Sequence, residues 1–447
     1  MRIAFPYEGI PAVDVPDPRL MAVVGPRDQA PSAPAETLIR DALAHPLGSP
    51  RLRELGRGRR RVLILFDDNT RPTPASLIVP YVLEELGRDL EVVFLTASGT
   101  HRPMTPAEKE RKLGREVCRT YPVLDHRWQD ASALMTLGHT PSGIPVEVNS
   151  LLRQADLVIG IGHVAPHRMA GFGGGSKIVQ PGVCGVGTTG RTHWAAAGLS
   201  GAELLGVMEN PVRAEMDHVG AAVGLQAVVN VVLNTQDQMV GCVFGAPIAA
   251  HRSACALSAA VFRGAVPALA DIVLIESFPA DLDLWQASKA LAAAELVVRP
   301  GGVVILFTPC PEGVSSSHPA MLDFGYQPPD VVQEWVRRGE MTDLMVAAEL
   351  AIGGRVIRSR ARGIMVSPGI PPDAVRKLGL EPAAAPQEAL EMALRATGAD
   401  ATVLVLRHGG EILPVVTGVA LRERESTAGI TRVGASSRPG PPHACGM

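Results

Sequence analysis

The sequence predicts an α/β protein of two domains, each with a mostly parallel sheet flanked by helices. Short Val-, Ile- and Leu-rich runs alternate with helical stretches, and this alternation starts again near residue 270. The chain has 447 residues, which is too long for one ordinary core. Because ligands bind at the carboxyl ends of parallel strands, we expect the active site in the cleft between the domains.

The first half supplies the first series of elements. Buried strands are predicted at residues 61–66, 91–97, 156–162 and 226–233, and helices at residues 76–86, 106–113 and 211–223. Each of the first three strands is followed by a polar segment. This half is therefore expected to carry most of the chemistry.

The second half repeats the pattern. Strands are predicted at residues 271–276, 302–307, 355–357, 363–366 and 401–406, and helices at residues 285–296, 330–338, 342–352 and 387–397. We place the first domain at residues 1–268 and the second, which closes over the substrate, at residues 269–424. Residues 425–447 are rich in Gly, Pro and Ser and are expected to form a disordered tail.

Composition excludes several classes of protein. The net charge of −3 argues against a nucleic-acid partner, and 46% hydrophobic residues argue against global disorder. No apolar run approaches the roughly 18 residues of a membrane span. The first residues lack the apolar stretch of a signal peptide, and the six cysteines show no CxxC spacing. A reduced, cytoplasmic setting is therefore expected.

Three polar segments follow three predicted strands. They read DDNTRPTP (67–74), SGTHRPMT (98–105) and PHRMAGFGGGSK (166–177). Because the carboxyl ends of parallel strands meet at one edge of a sheet, these segments are expected to share a pocket. Arg71, His101, His167 and Lys177 would face it.

The glycine run before Lys177 resembles a phosphate loop. It lacks the GxxxxGK[ST] spacing, because Ile178 follows the lysine, so an NTPase is disfavoured. The glycines still allow backbone N–H groups to approach a phosphate or a cofactor. His163, His167 and His193 offer imidazoles to a metal, although no HExxH motif is present, and a purely structural role for each stays open.

In the second half, Gln286 and Lys289 share one face at the start of a predicted helix. A carboxylate between Lys289 and Arg71 is one interpretation of this face, and a solvated helix surface is the other. Cys310 follows a strand and is a candidate nucleophile, but no histidine partner is evident in the sequence.

Taken together, seven segments resemble the nickel-pincer-nucleotide-dependent lactate racemase family of 2-hydroxyacid racemases and epimerases. The segments are DDNTRPTP (67–74), SGTHRPMT (98–105), PHRMAGFGGGSKIVQPG (166–182), THW (192–194), NPVR (210–213), LWQASKAL (284–291) and CPEG (310–313). Their order and spacing match the family from about residue 60 to 315.

The resemblance implies a cofactor, nickel pyridinium-3,5-bisthiocarboxylic acid mononucleotide, linked covalently to Lys177. It further implies a role for each matching position. These are His101 and His167 as the catalytic acid/base pair, His193 as the nickel ligand, Asp68, Gly174, Gly175 and Ser176 as cofactor contacts, and Arg71, Gln286 and Lys289 as substrate contacts.

The implied reaction inverts C2 of a 2-hydroxyacid by reversible hydride transfer. One histidine removes the hydroxyl proton while the hydride leaves C2, and the planar 2-oxoacid then rotates between Arg71 and Lys289. The hydride returns to the other face. The residue types suit this chemistry, since the fork of Arg71 holds a carboxylate well.

Two departures from the family pattern leave the substrate open. Residues 314–318 lack the expected glycine-containing turn, and 172–176 replace a Ser and an Ala of lactate racemase itself. Lactate is the family default, and malate, aliphatic or aromatic acids and sugar acids are alternatives. Arg168 and His318 would suit a dicarboxylate, with a surface role as the alternative, and Trp335 is the candidate for a pocket-closing tryptophan.

Two other classes of protein fit the sequence less well. An NAD-type 2-hydroxyacid dehydrogenase needs GxGxxG after a strand, whereas the glycine-rich residues 182–190 follow Pro181. A non-catalytic nucleotide-binding homologue would be favoured by loss of Lys177, His101 or His167, and all three are present. Expected partners are the substrate and the proteins that build the cofactor and insert nickel, with no nucleic acid and no membrane. A homo-oligomer stays open.

Overall fold

Two large sheets with helices packed against them form the framework of the protein in a computed structural model that describes residues 1–27, 29–398 and 400–417. The predicted α/β class is therefore confirmed. The tail predicted at residues 425–447 lies outside the described residues. No helix within the described part of the chain is long and apolar enough to cross a membrane.

The strands of the two large sheets are β1 (Leu20–Val24), β2 (Arg61–Asp67), β3 (Glu91–Ala97), β4 (Val123–Asp125), β5 (Leu157–His163), β6 (Leu225–Leu233), β7 (Met239–Gly245), β8 (Ala270–Glu276), β9 (Val298–Phe307), β10 (Arg362–Val366), β11 (Glu381–Pro382) and β12 (Val403–Leu406). Shorter strands pair Arg2–Ile3 with Val13–Asp14, Leu134–His139 with Pro145–Asn149, Pro166–His167 with Gly171–Phe172, and Arg263–Val266 with Leu413–Val416.

The α-helices of the described residues are α1 (Ala35–Ala44), α2 (Leu52–Leu55), α3 (Ala75–Leu86), α4 (Pro106–Leu113), α5 (Arg115–Thr120), α6 (Val186–Ala197), α7 (Gly201–Leu204), α8 (Pro211–Ala222), α9 (Pro247–Phe262), α10 (Leu284–Ala287), α11 (Lys289–Glu295), α12 (Met321–Phe324), α13 (Pro329–Arg338), α14 (Leu344–Gly354), α15 (Pro372–Lys377) and α16 (Pro386–Thr397). Short 3₁₀ turns lie at Asp17–Arg19, Ala131–Ala133, Ser150–Gln154 and Gly175–Ile178.

The first sheet has the strand order β7-β6-β5-β2-β3-β4. Its strands are parallel except β7, which runs antiparallel to β6. From its second residue onward β2 is buried, as expected for a strand covered by helices on both faces. Since β5, β2 and β3 are neighbours, the loops that follow them open at the same edge of the sheet. The predicted convergence of the three polar segments follows from this order.

The second sheet is parallel throughout, with the order β11-β10-β9-β8-β12-β1. Its edge strand β1 comes from the N-terminal stretch, which the sequence analysis assigned to the first domain. Leu404 and Val405 of β12 pair with Ala22 and Val23 of β1, so this stretch completes the other sheet. The boundary near residue 268 otherwise stays a prediction.

Two segments of the second half differ from their sequence predictions. Residues 355–357, predicted as a strand, lie in a π-helix, Arg355–Arg360, that continues α14. Val356 and Ile357 are buried in the same core as α14, and a short apolar run does not distinguish a strand from a buried helix. The helix predicted at 285–296 is divided at Ser288 into α10 and α11.

A buried ion pair joins the two halves of the chain. The guanidinium of Arg168, which follows β5, donates to both carboxylate oxygens of Glu349 on α14 and, at 3.0 Å, to Ser288 Oγ. The Tyr326 hydroxyl donates to Glu349 Oε1 at 3.3 Å. Glu349 is 0% and Arg168 is 5% exposed. Water therefore hardly reaches either charge, and each is compensated mainly by the other. This contact fixes Arg168, the residue next to His167, against α14 of the second half.

Changing Glu349 to Gln is expected to lower the free energy of unfolding by about 3–5 kcal/mol, because the Arg168 charge stays buried without a counter-ion. Urea denaturation measures the change. Glu334→Gln is the matched control, because its pairs with Arg337 and Arg338 are exposed and are expected to contribute less than about 1 kcal/mol. Equal losses in the two variants would contradict this role for Glu349.

Candidate active site

A cleft of about 950 Å³, partly open to solvent, lies between the two sheets. The structure brings most of the predicted site residues to its wall. These are Asp68, Arg71, His101, His167, Gly174, Lys177, His193, Gln286 and Lys289. Gly175 and Ser176 do not line it: a Cβ on Gly175 would meet the His251 ring, and Ser176 packs against Gly220 of α8. Their predicted cofactor contacts stay untested predictions.

The loop after β2 is held by a lysine that the sequence analysis gave no role. Lys112 of α4 donates to the carbonyl oxygens of Asp68 at 3.0 Å and Arg71 at 2.8 Å, and pairs with Asp67 Oδ1 at 2.7 Å. Its ammonium therefore fixes the backbone that presents Asp68 and Arg71. The one feature of the sequence that could have pointed to Lys112 is that lysine is rare in this chain, which contains only five.

His101 is oriented by a carboxylate. Its Nδ1 lies 2.6 Å from Asp68 Oδ2, and its Nε2 lies 3.0 Å from Gln286 Nε2, which donates to it. Burial alone would raise the pKa of Asp68, but His101, Arg71 and Thr70 outweigh burial and hold that pKa well below its usual range. The ionised Asp68 accepts a hydrogen bond from His101 Nδ1–H, so the lone pair of His101 lies on Nε2, on the side of Gln286.

His167 has the opposite tautomer. Its Nδ1 accepts from the backbone N–H groups of Met169 at 3.2 Å and Ala170 at 3.3 Å, which places the proton of the neutral ring on Nε2. Burial, followed by the charges of Lys177 and Lys289, holds the pKa of His167 well below its usual value. The two histidines therefore differ: one offers a lone pair backed by a carboxylate, and the other offers an N–H.

Two basic side chains and an amide form a candidate anion subsite beside His101. Gln286 Oε1 accepts from Lys289 Nζ at 2.5 Å and from Arg71 Nη1 at 3.4 Å. Burial and the charges of Arg71 and Lys177 hold the pKa of Lys289 well below its usual value. A bound carboxylate would supply the negative charge that this pair of cations lacks. Asp283 Oδ1 caps α10 by accepting from the backbone N–H of Gln286 at 2.9 Å. This bond fixes the backbone from which the Gln286 side chain extends.

The glycine-rich segment carries Lys177 on the 3₁₀ turn Gly175–Ile178. Gly174 adopts φ +73°, and a Cβ there would lie 2.4 Å from Val164 Cγ2, so only glycine fits. Nζ of Lys177 makes no hydrogen bond with any described residue. Burial, with the charges of Arg71 and Arg213, lowers the pKa of Lys177 to about 7. Much of this amine is therefore neutral near pH 7.

Three side chains hold the backbone of this segment, and the sequence analysis assigned a role to none of them. Arg213 of α8 donates to the carbonyl oxygens of Ala170, Phe172 and Gly174. Asn230 Oδ1 accepts from the Gly175 N–H at 3.0 Å, and His251 Nε2 lies 2.9 Å from the Gly173 oxygen. Of the three, Arg213 lies in the segment NPVR (210–213), which resembles the family, and this was the one feature of the sequence that could have pointed to it.

His193 of α6 lines the cleft with one ring nitrogen free of hydrogen bonds to described residues. Its Nδ1 donates to the Thr189 carbonyl at 2.8 Å, which leaves the lone pair on Nε2. Burial, together with the charge of Lys177, lowers the pKa of His193 to about 3. The ring is therefore neutral, as metal binding requires.

Other candidates occupy structural positions. Burial raises the pKa of the Cys310 thiol to about 12, so it is a poor nucleophile. Arg168 is engaged by Glu349. His318 is stacked on Trp285 with ring centroids 3.9 Å apart. Trp335, the candidate for a pocket-closing tryptophan, packs on Phe324 and does not line the cleft. The tryptophan that lines the cleft is Trp285.

The segment weighed as a dinucleotide loop lies outside the required context. Residues 182–190 follow the 3₁₀ turn that carries Lys177 and run into α6, so no strand of the described residues leads into them. A dinucleotide fingerprint needs a strand, a tight turn and a helix in succession. The structure therefore gives no support to the NAD-type dehydrogenase alternative.

Comparisons with known proteins agree with this geometry. A model of the lactate racemase N-terminal domain matches residues 8–204, and one of the lactate racemase C-terminal domain matches residues 266–414. The chain is 28% identical over 414 residues to the lactate racemase of Thermoanaerobacterium thermosaccharolyticum, covering 90% of this chain and 96% of that protein. It is also 28% identical over 380 residues to the lactate racemase of Lactiplantibacillus plantarum, covering 83% and 89%.

Solved structures show the same fold. The lactate racemase apoprotein from T. thermosaccharolyticum superposes with a TM-score of 0.83 at 27% identity, over 93% of this chain and 100% of that one. A Thermotoga maritima protein at 22% identity gives a TM-score of 0.67 over 83% of this chain and 100% of that one. Since the two domain models together cover most of the sequence, the chain belongs to the lactate racemase family.

Proposed function

We propose that the protein is an isomerase that inverts C2 of a 2-hydroxyacid, with lactate as the family default, using a nickel-pincer nucleotide tethered to Lys177. One observation carries this proposal: a single cleft brings together two histidines of opposite tautomer, a two-cation anion subsite, and an amine and an imidazole suited to a metal-bearing group. The named relatives, which are lactate racemases, support it.

The residues present fit the cofactor. Lys177 supplies a buried amine whose pKa is lowered to about 7, so a substantial part of it is in the neutral form that bonds to an acyl carbon. His193 supplies a neutral imidazole with its lone pair on Nε2. The described residues contain no cluster of three or more His, Cys, Asp or Glu side chains that would bind a metal alone. In this proposal the remaining nickel ligands come from the nucleotide itself.

The anion subsite would orient the substrate. Arg71 and Lys289 would bind its carboxylate, releasing Gln286 from its hydrogen bonds with them to contact the same ligand. When bound, the cofactor supplies a reversible hydride acceptor for the C2 hydrogen. Holding the carboxylate at one point leaves the planar 2-oxoacid free to turn and present its other face.

The histidines would move the hydroxyl proton. His101 Nε2 carries a lone pair, and the Asp68 carboxylate stabilises the imidazolium that forms when this nitrogen takes the proton. His167 presents an N–H from Nε2, so it would hydrogen-bond the same oxygen after the 2-oxoacid turns. The proton held by His101 would return to that oxygen when the C2 hydrogen is added back, which leaves both rings neutral again. The opposite tautomers thus provide a base and a hydrogen-bond donor at once.

Asp68→Asn tests the orientation of His101. An amide in place of the carboxylate favours the other tautomer, so kcat is expected to fall about 100-fold with little change in KM. Steady-state kinetics on nickel-loaded enzyme measures both constants. Asp68→Glu keeps the charge and should recover part of the loss. A fall in nickel content that accounts for all of the lost activity would instead assign Asp68 to cofactor binding.

The proposed function is tested by chirality. The protein would be co-expressed with the enzymes that build the cofactor and insert nickel, partners that this proposal requires, and then incubated with single enantiomers of lactate. Formation of the other enantiomer by loaded protein, and none by unloaded protein, would support it. Stable nickel content without inversion of any 2-hydroxyacid would contradict it.

We place this reaction in the cytoplasm, in keeping with the free cysteines of the described residues.

A further inference from the structure

Three consecutive residues of the loop after β3 each contact one residue of the second half. The three contacts are Thr100 Oγ1 with His318 Nε2 at 3.2 Å, His101 Nε2 with Gln286 Nε2 at 3.0 Å, and Arg102 Nη2 with Glu312 Oε1 at 3.0 Å. The middle contact places the lone pair of the proposed base beside the anion subsite. The outer two contacts lie on either side of it, so the loop is held against the second half both before and after His101.

The contact at Arg102 belongs to a polar chain that joins two loops of the first half to the second half. Besides its bonds to Glu312, Arg102 donates to both carboxylate oxygens of Glu108, at 2.9 and 3.0 Å. Glu108 Oε1 also accepts from Nδ2 of Asn69, at 3.1 Å, and Asn69 lies in the loop after β2. Glu312 is therefore connected through one arginine to the loops after both β2 and β3.

The contact at His318 comes from within a stack of aromatic rings. The centroid of the His318 ring lies 3.9 Å from that of Trp285 and 6.0 Å from that of Trp128, with interplanar angles of 20° and 29°. The side chain is 2% exposed. A ring held in this way has little freedom to move, and its contact with Thr100 passes that constraint to the residue before His101.

The three outer residues Arg102, Glu312 and His318 do not line the cleft. They line a smaller pocket of about 390 Å³, which His101 also lines. A substrate or cofactor in the cleft would therefore not contact them, and any effect that they have on the reaction must pass through His101 and its loop. Such an effect can be large, because a misplacement of about 1 Å at a reacting group can lower a rate about 100-fold.

We propose that Arg102, Glu312 and His318 are positioning residues for the inversion. They hold the Nε2 atom of His101 at Gln286 when the two halves of the chain are together. This rests on the proposed function, because it takes His101 as the base that accepts the hydroxyl proton. Separation of the halves would withdraw Gln286 from His101 and break the contacts on both sides. Proton transfer is thereby confined to the assembled cleft.

The kinetic test is a double-mutant cycle on nickel-loaded enzyme. Glu312→Gln is expected to lower kcat about tenfold with less than about a twofold change in KM. In an Arg102→Gln background the same change is expected to have less than about a twofold effect, because the pair is already broken. Glu381→Gln is the matched control: its pair with Arg362 joins the edge strands of the second sheet, and its loss should change neither constant.

Salt provides a readout that a purely structural role would not change. The side chains of Arg102 and Glu312 are 33% and 34% exposed, so dissolved ions can screen their attraction. Raising NaCl to about 1 M is expected to lower kcat of the wild type about threefold and to leave that of Glu312→Gln unchanged. An equal response of the two enzymes would contradict the role of the pair.

A labelling experiment on unloaded protein tests the position of His101 without any activity. Diethyl pyrocarbonate modifies unprotonated histidine nitrogens, and peptide mass spectrometry gives the rate at each histidine. His318→Phe keeps an aromatic ring in the stack but removes the nitrogen that contacts Thr100. His101 is expected to react about fivefold faster in this variant and in Glu312→Gln than in the wild type. The exposed His218 should react equally in all three proteins.

The outcomes separate this inference from the proposed function. Unchanged kcat and unchanged labelling of His101 in both variants would overturn the inference while the racemase stands. Equal effects of Glu312→Gln in the presence and absence of Arg102 would also overturn the role of the pair. If loaded wild-type enzyme inverts no 2-hydroxyacid, the proposed function fails. Labelling of the unloaded protein then decides the inference: faster labelling of His101 in the variants supports the positioning contacts, and equal labelling overturns them.

Discussion

Replacing His101 or His167 with Ala is expected to lower kcat of the nickel-loaded enzyme by about 10²–10⁴-fold. In the proposed mechanism each variant removes one of the two imidazoles that contact the hydroxyl oxygen, His101 as the base and His167 as a hydrogen-bond donor. His101 loses its partnership with Asp68 at 2.6 Å, and His167 loses the N–H fixed by Met169 and Ala170. Initial rates of inversion from each enantiomer measure the effect.

The two histidine variants are expected to keep their nickel, because neither ring forms a hydrogen bond with Lys177 or His193. Metal analysis of the purified variants checks this. His218→Ala is the matched control, since His218 is an exposed histidine of α8. Full activity in both His101→Ala and His167→Ala, with His218→Ala also active, would remove the acid/base assignment.

Replacing Lys177 with Ala or Arg is expected to abolish activity, with a loss above about 10³-fold, because in the proposed mechanism this lysine would hold the group that supplies the hydride chemistry. Ala removes the amine. Arg keeps a cation, but its guanidinium is charged at all working pH values and does not acylate readily. Intact-protein mass spectrometry should show the added mass of the nucleotide on the wild type and on neither variant.

Lys377→Ala is the control for the lysine series, because Lys377 is exposed at the end of α15. It should retain both the added mass and the activity. Retention of the added mass in Lys177→Ala would place the covalent link elsewhere. Loss of the mass with unchanged activity would mean that turnover does not depend on the tether.

Much of the site could be predicted because the physics of parallel sheets is simple. The polar segments after β2, β3 and β5 converge because these strands are neighbours and share one direction. Arg71, His101, His167 and Lys177 therefore reached one cleft, as expected from the sequence. Gln286 and Lys289 reached it because their helix faces the same edge from the second half.

The supporting residues could not be predicted by the same reasoning. Arg213, Lys112 and Asn230 act on backbone groups of distant loops, and such contacts have no periodicity or spacing in the sequence. The strand β1 was not predicted, and an apolar strand does not in any case specify which sheet it will join. Trp285 was overlooked because a tryptophan beside a helix start is more often part of the core.

Glu411 shows what only the three-dimensional arrangement reveals. In sequence it follows two glycines near the end of the described chain, with nothing to connect it to a site. The docking of its loop on β8 places its carboxyl within reach of His163, Arg71 and Lys289. The Glu411 carboxyl therefore lies near residues of both halves of the molecule.

The central claim, hydride transfer at C2, is tested most directly by running the inversion in D₂O. Loaded enzyme is incubated with a single enantiomer or epimer of an accepted 2-hydroxyacid, and the inverted product is examined for deuterium at C2. Hydride transfer predicts inversion with the original hydrogen retained at C2. Deuterium at C2 of the inverted product, appearing at the rate of inversion, would mean that the hydrogen left as a proton and would contradict the account.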